Sequence, residues 1–239
     1  MSELVSIMGG GMFTMKVGLI YTSTTPELIA DVEREVKAQL GEEAELYRLQ
    51  DPSILAEVRE AGYVTTAPAA RLIGMYMKAA EEGCDAVLNL CSSVGEVADA
   101  AQDAAKYIGV PIVRVDEEMC REAVRLGARI GVMATLPTTL EPTKNTVKRV
   151  AREMNHAVTL VDCLVDGAFG LDQVQFKARL TESAATIIDD VDVIVLAQGS
   201  MAYAGPEMTE KFGKPVLGSP AFGAAALKAA LVAKGVMKA

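Results

Sequence analysis

The chain repeats itself. RIGVMATLPTT, from Arg129, lies over KVGLIYTSTT, from Lys16, with Gly131 on Gly18 and Thr135 on Thr22. VDVIVLAQGS, from Val191, lies over CDAVLNLCSS, from Cys84, which sets Asp192 on Asp85, Gln198 on Cys91 and Ser200 on Ser93. GKPVLGSPAFGAAAL, from Gly213, lies over GVPIVRVDEEMCREA, from Gly109, with Pro215 on Pro111. Buried strands draw on few residue types, so resemblance between two strands means little. Here the matches extend into the loops and keep their order, which points to an internal duplication.

Each repeat alternates short apolar runs with longer segments of helical period. The first reads as strand over Lys16–Thr22, helix over Glu27–Leu40 behind Pro26, strand over Ala44–Leu49 and helix over Ala67–Glu82. It continues with strand over Asp85–Leu90, a helix from about Gly95, strand over Pro111–Val115 and helix over Glu117–Leu126. Such alternation predicts right-handed βαβ units and parallel sheets. The expected fold is therefore α/β: two duplicated parallel-sheet halves, 16–127 and 128–239, related by a pseudo-two-fold axis with a cleft between them. No Pro/Ser-rich linker separates them, so tight packing is expected, with the C-terminal helix crossing back over the first half. Residues 1–15, with Gly9, Gly10 and Gly11, read as a flexible extension. Apolar residues make up 51% of the chain and aromatic ones 5%, with no Trp, so the core is aliphatic, as buried parallel strands under Ala-rich helices require.

The net charge of −9 comes without a basic stripe, which argues against nucleic-acid binding. Cys84, Cys91, Cys120 and Cys163 form no CxxC pair, and His156 is the one histidine, which disfavours a zinc site or a disulfide scaffold. No apolar run reaches the roughly 18 residues of a membrane span, and no secretory signal is visible. The expected setting is a reducing cytoplasm. The oligomeric state, a homo-oligomer included, stays open.

Ligands of open α/β sheets bind beyond the carboxyl ends of the strands. Small polar residues gather there: Thr22-Ser23-Thr24, Cys91-Ser92-Ser93, Thr135 through Thr139, and Gln198-Gly199-Ser200. Cys91 stands between a buried strand and a helix start, where free N–H groups favour a thiolate. Ser93 and Glu96 fit a capping box for that helix, and Thr138 or Thr139 fits an N-cap. Free cysteine is more often inert packing than a functional group, and packing is the expected role of Cys84, Cys120 and Cys163.

The duplicated layout, the first-half NLCSSVGE, the second-half GVMATLPTT and the strand ending VIVLAQGSMA resemble the aspartate/glutamate/hydantoin racemase superfamily over nearly the whole chain from Lys16. That resemblance implies a cysteine after the third strand of each half, the pair flanking a substrate carbon. Cys91 matches the first position. Gln198 stands at the second, and an amide is neither a general acid nor a base. Related decarboxylases use a lone cysteine as proton donor, though in the second-half position. The resemblance implies that Thr135 and Thr138 bind a substrate carboxylate. Tyr21, Thr22, Ser92, Ser93, Gly199 and Ser200 complete the expected substrate contacts.

The expected activity is therefore racemase- or isomerase-like. Cys91 acts on a small anionic substrate, Gln198 orients it, and no metal or organic cofactor takes part. Tyr203 is a candidate weak acid. The rivals are a single-thiol lyase of decarboxylase type, a hydrolase, and an anion-binding protein that has lost catalysis.

Overall fold

The computed structural model describes residues 15–22, 25–168 and 170–238. The expected N-terminal extension lies outside the described residues except for Met15, as do Ser23 and Thr24. Two four-stranded, all-parallel sheets form. The first holds β1 (Lys16–Tyr21), β2 (Glu45–Gln50), β3 (Ala86–Asn89) and β4 (Ile112–Arg114) in the order β2-β1-β3-β4. The second holds β5 (Arg129–Ala134), β6 (Thr159–Leu164), β7 (Val193–Leu196) and β8 (Val216–Gly218) in the order β6-β5-β7-β8.

The register repeats too. Val17 pairs with Ala86, and Ile130, its counterpart in the repeat, pairs with Val193. Asp85 accepts the Lys16 N–H at 3.1 Å, and Asp192 accepts the Arg129 N–H at 2.9 Å. The same carboxylate thus ties the start of the first strand to that of the third in each half. A Cβ on Gly18 would stand 2.9 Å from Ala79 Cβ, and one on Gly131 would stand 2.9 Å from Ile187 Cδ1. Close packing against the strand leaves little room beside either glycine, against a fixed Cβ at Gly18 and against the end of the Ile187 side chain at Gly131.

Among the described residues, ten α-helices cover the sheets. They are α1 (Pro26–Leu40), α2 (Pro52–Ala61), α3 (Thr66–Glu81), α4 (Gly95–Ala100) and α5 (Gln102–Ile108), then α6 (Glu117–Leu126), α7 (Pro137–Glu153), α8 (Gln173–Ala185), α9 (Gly205–Phe212) and α10 (Ser219–Lys234). Leu28, Val32, Val36 and Leu40 of α1 share a core with Ala224, Leu227 and Leu231 of α10 and with Val17 and Leu19 of β1. Met119, Cys120, Ala123 and Val124 of α6 share one with Val147 and Val150 of α7 and Ile130 and Val132 of β5. Each half therefore sends its last helix onto the other half's sheet. The crossing of α10 matches the expectation; that of α6 was not read. This exchange buries apolar surface from both repeats together and locks them.

Two elements depart from the reading. Residues 52–61 form α2, which carried a legible start: the Asp51 carboxylate accepts the Ser53 N–H at 3.0 Å and Pro52 occupies the first helical turn. The helix expected from Gly95 is broken into α4 and α5 at Ala101. Among the described residues, no helix is long and apolar enough to cross a membrane.

Candidate active site at the strand ends

In each sheet the first and third strands are neighbours, so their carboxyl ends lie side by side. This sets Thr22 beside Cys91 and Thr135 beside Gln198. The turns that follow are alike. Ser92–Val94 and Gly199–Ala204 are both 3-10 turns; the Val94 N–H donates to the Cys91 carbonyl at 3.3 Å and the Met201 N–H to the Gln198 carbonyl at 3.0 Å.

The halves meet reciprocally here. The second-half helix α7 packs on the Ser92–Val94 turn, while the first-half helix α1 packs on Gly199–Ala204. Ser93 Oγ and Thr139 Oγ1 share a hydrogen bond of 2.7 Å across the boundary, and Asn145 Nδ2 donates to Glu96 Oε1 at 3.1 Å. On the other side, a Cβ on Gly199 would stand 3.0 Å from Leu28 Cδ1. Such exchanged contacts are what a pseudo-two-fold axis produces, and they join the strand-end loops of the two halves.

Cys91 is 9% exposed, and its backbone is extended. Burial pushes its thiol pKa up; the Thr22 hydroxyl, the Ser93 and Val94 N–H groups and the Ser93 hydroxyl pull it down without overcoming burial. The net direction is upward, against the expectation of a thiolate favoured by a helix start. The reason is structural: a short 3-10 turn precedes α4, itself only 6 residues long, so little dipole is aligned on the sulfur. The turn is braced from below. Asn89 Nδ2 donates to the Cys91 carbonyl at 3.1 Å, and the Tyr76 hydroxyl donates to Asn89 Oδ1 at 3.1 Å. Beside it, Arg114 forks onto Asp116 at 2.9 and 3.0 Å and reaches Asp99 at 2.6 Å and Thr146 Oγ1 at 2.8 Å. Burial raises the Asp116 carboxyl pKa, but the Arg114 guanidinium outweighs it and holds it below the ordinary carboxylate range.

The other thiols lack this setting. Burial pushes Cys84 and Cys163 up to about 11 and Cys120 well above the ordinary thiol range. Among the described residues, no cluster of three or more His, Cys, Asp or Glu side chains is arranged to hold a metal ion.

Gln198 is committed to its own half. Its Nε2 donates to Thr135 Oγ1 at 2.6 Å and its Oε1 accepts the Thr135 N–H at 3.1 Å. Thr135 and Gln198 thus repeat the Thr22–Cys91 pair with an amide in place of the thiol. Of the hydroxyls at these strand ends and helix starts, Thr22 Oγ1 lies toward the Cys91 sulfur and Ser92 Oγ toward the Asp116 carboxylate, while Thr138 Oγ1 and Ser219 Oγ are buried without a hydrogen-bond partner. An unpartnered buried hydroxyl costs stability.

Several expectations are corrected. Ser93 and Glu96 do not form a capping box; both reach across to α7 instead. Neither Thr138 nor Thr139 caps α7, because the helix begins at Pro137 with Leu136 before it. Tyr21 is fully buried against Leu28 and Val32 under α1, so its ring belongs to the core rather than the cleft. The Tyr203 hydroxyl donates to the Gln173 carbonyl at 2.9 Å and is not aimed at the strand ends. Ser219 was missed. It follows β8, where the chain crosses between sheets, and its Oγ lies 3.8 Å from where a Gly199 Cβ would be. Its sequence signal, a serine after a strand-ending glycine, was visible within the third repeated segment.

The chain matches the Asp/Glu/Hydantoin racemase family over residues 17–227 and belongs to that family. No curated protein sequence matches it significantly. Among solved structures, allantoin racemase from Klebsiella pneumoniae is similar at a TM-score of 0.68 and 16% identity, covering 92% of this chain and 89% of that one. A glutamate racemase from Bacillus anthracis is similar at 0.67 and 16% identity, covering 93% and 83%. Unliganded arylmalonate decarboxylase is similar at 0.57 and 17% identity, covering 93% of each chain. At these identities the likeness establishes the two-half α/β fold.

Proposed function

We propose that this protein is a cofactor-independent, racemase- or isomerase-like enzyme that exchanges the α-proton of a small carboxylate on one face, with Cys91 as its single acid–base group. One observation carries the reading: at the cleft-facing strand end, the Cys91 thiol alone among the four is met by hydroxyl and N–H donors from Thr22, Ser93 and Val94. Those donors stabilise sulfur when it holds negative charge. The thiolate takes the α-proton and becomes a thiol, leaving an enolate; the reverse step returns the proton. Thr138 Oγ1 and Ser219 Oγ are free to hold the carboxylate and the enolate, the larger energetic task. Thr135 and Gln198, bound to each other, shape the opposite wall, with the N–H groups of Gly199 and Ser200 beside them.

A second reading has its own support. The raised Cys91 pKa keeps a neutral thiol at physiological pH, and Gln198 offers no second acid. Both suit a lyase in which a carbanion, formed by loss of carbon dioxide, takes its proton from Cys91. Arylmalonate decarboxylase and the racemases among the structural neighbours fit these two readings in turn.

The test is Cys91→Ala, assayed by solvent exchange of α-protons and by turnover over a panel of amino, hydroxy and malonic acids. The expected loss is about 10²–10⁴-fold, the usual worth of a positioned acid–base group. Substantial retained activity contradicts the assignment, as does native-state iodoacetamide labelling that reaches Cys163 before Cys91.

A further inference from the structure

A cavity of about 430 Å³ opens between the start of α1 and the segment leading into α8. Part of its wall is apolar. Leu28 comes from α1, Leu171 from the segment before α8, and Phe176 and Tyr203 stack with ring centroids 6.4 Å apart at 25°. The hydroxyl of Tyr203 is held by the Gln173 carbonyl at 2.9 Å, which fixes the ring and leaves its carbon surface to the cavity. The cavity borders the loop that follows Gln198. Ser200 lines it, two residues after Gln198, and Leu28 is the side chain that closes on Gly199. Its size falls within the range of small-molecule sites.

Charge limits the occupant. Glu27, Asp31 and Asp172 line the same cavity, and no lysine or arginine does so among the described residues. Asp172 also caps α8, accepting the Val174 and Gln175 N–H groups at 3.0 Å. A second carboxylate placed here would lose water and meet like charge.

We infer that the substrate is a monocarboxylate whose α-carbon carries a bulky apolar group, seated between Leu28, Leu171 and the Phe176–Tyr203 pair, and that dicarboxylates are excluded. This rests on the proposed strand-end site as the place where the carboxylate binds.

The experiment titrates the full-length protein with phenylacetate, acetate and succinate, followed by NMR. Phenylacetate is expected to bind about tenfold tighter than either other acid, since it alone adds an apolar group without a second charge. Leu171→Lys, at a position 40% exposed and so tolerant of change, is expected to weaken phenylacetate and strengthen succinate. Succinate or acetate binding as tightly as phenylacetate in the wild type overturns the inference, and so does a ratio that Leu171→Lys leaves unmoved. Binding is read without turnover. Failure of the catalytic reading therefore shows separately, as phenylacetate that binds in a protein exchanging no α-proton of any carboxylate.

Discussion

Thr22 and Thr135 hold the same place in the two repeats but face different partners, a thiol and an amide. Thr22→Val removes a hydroxyl that lowers the Cys91 pKa, so that pKa is expected to move further above the ordinary thiol value of about 8.5. The pH dependence of alkylation reports this: labelling should begin at higher pH in the variant, and an unshifted profile would contradict the contact. Thr135→Val removes the hydroxyl that accepts from Gln198 Nε2 and leaves the Thr135 N–H bond to Gln198 Oε1 in place. It should lower kcat/KM by an amount equivalent to about 2 kcal/mol, measured by steady-state kinetics, with alkylation of Cys91 unchanged. Asp116 belongs to stability. Its folded pKa lies below the unfolded value of about 3.9, so its contribution is complete above that pH and is lost as pH falls through the folded value. Asp116→Asn should cost about 3 kcal/mol at neutral pH by urea denaturation, the gap narrowing below about pH 4. Cys91, Thr135 and Thr138 were legible because small polar residues at strand ends stand out. The Arg114–Asp116 pair was not, since a charge two residues from another reads as surface until burial is known.

Elements were legible where apolar period and punctuation agreed, as over α6, whose observed limits Glu117–Leu126 match the reading. They were not where a local signal competed with a distant partner. Ser93 and Glu96 satisfy a capping pattern in sequence, but α7 offers them Thr139 and Asn145 across the boundary. Pairings 46 and 49 residues apart leave no trace in a local motif. The exchanged helix α10 makes a sharp prediction. Glycine inside a helix is normally improved by alanine, by up to about 1 kcal/mol. A Cβ on Gly223 would stand 2.7 Å from Val115 Cγ2 and 2.9 Å from the Val115 Cα, so the crossing helix has no room for it. Gly223→Ala should therefore lower stability, by about 1–3 kcal/mol as overpacking does. A raised midpoint in urea would show that α10 does not pack so closely on the first half.

At the scale of the molecule, duplication was the strongest signal in the sequence, and it holds in strand order, register, the two aspartate ties and the two glycines. What it left open was how unlike the two halves have become. Sequence placed Gln198 opposite Cys91; the structure binds that amide to Thr135 and ties the Tyr203 hydroxyl to the Gln173 carbonyl. The cleft is symmetric in backbone and asymmetric in chemistry. With one acid–base group, proton exchange is confined to one face of the substrate carbon. The direct measurement is the reaction run in deuterium oxide, with products separated by chiral chromatography and deuterium located by NMR. The account predicts label entering one enantiomer or one prochiral position, without efficient interconversion of mirror images. Rapid racemisation in both directions, with deuterium in both enantiomers, would contradict it.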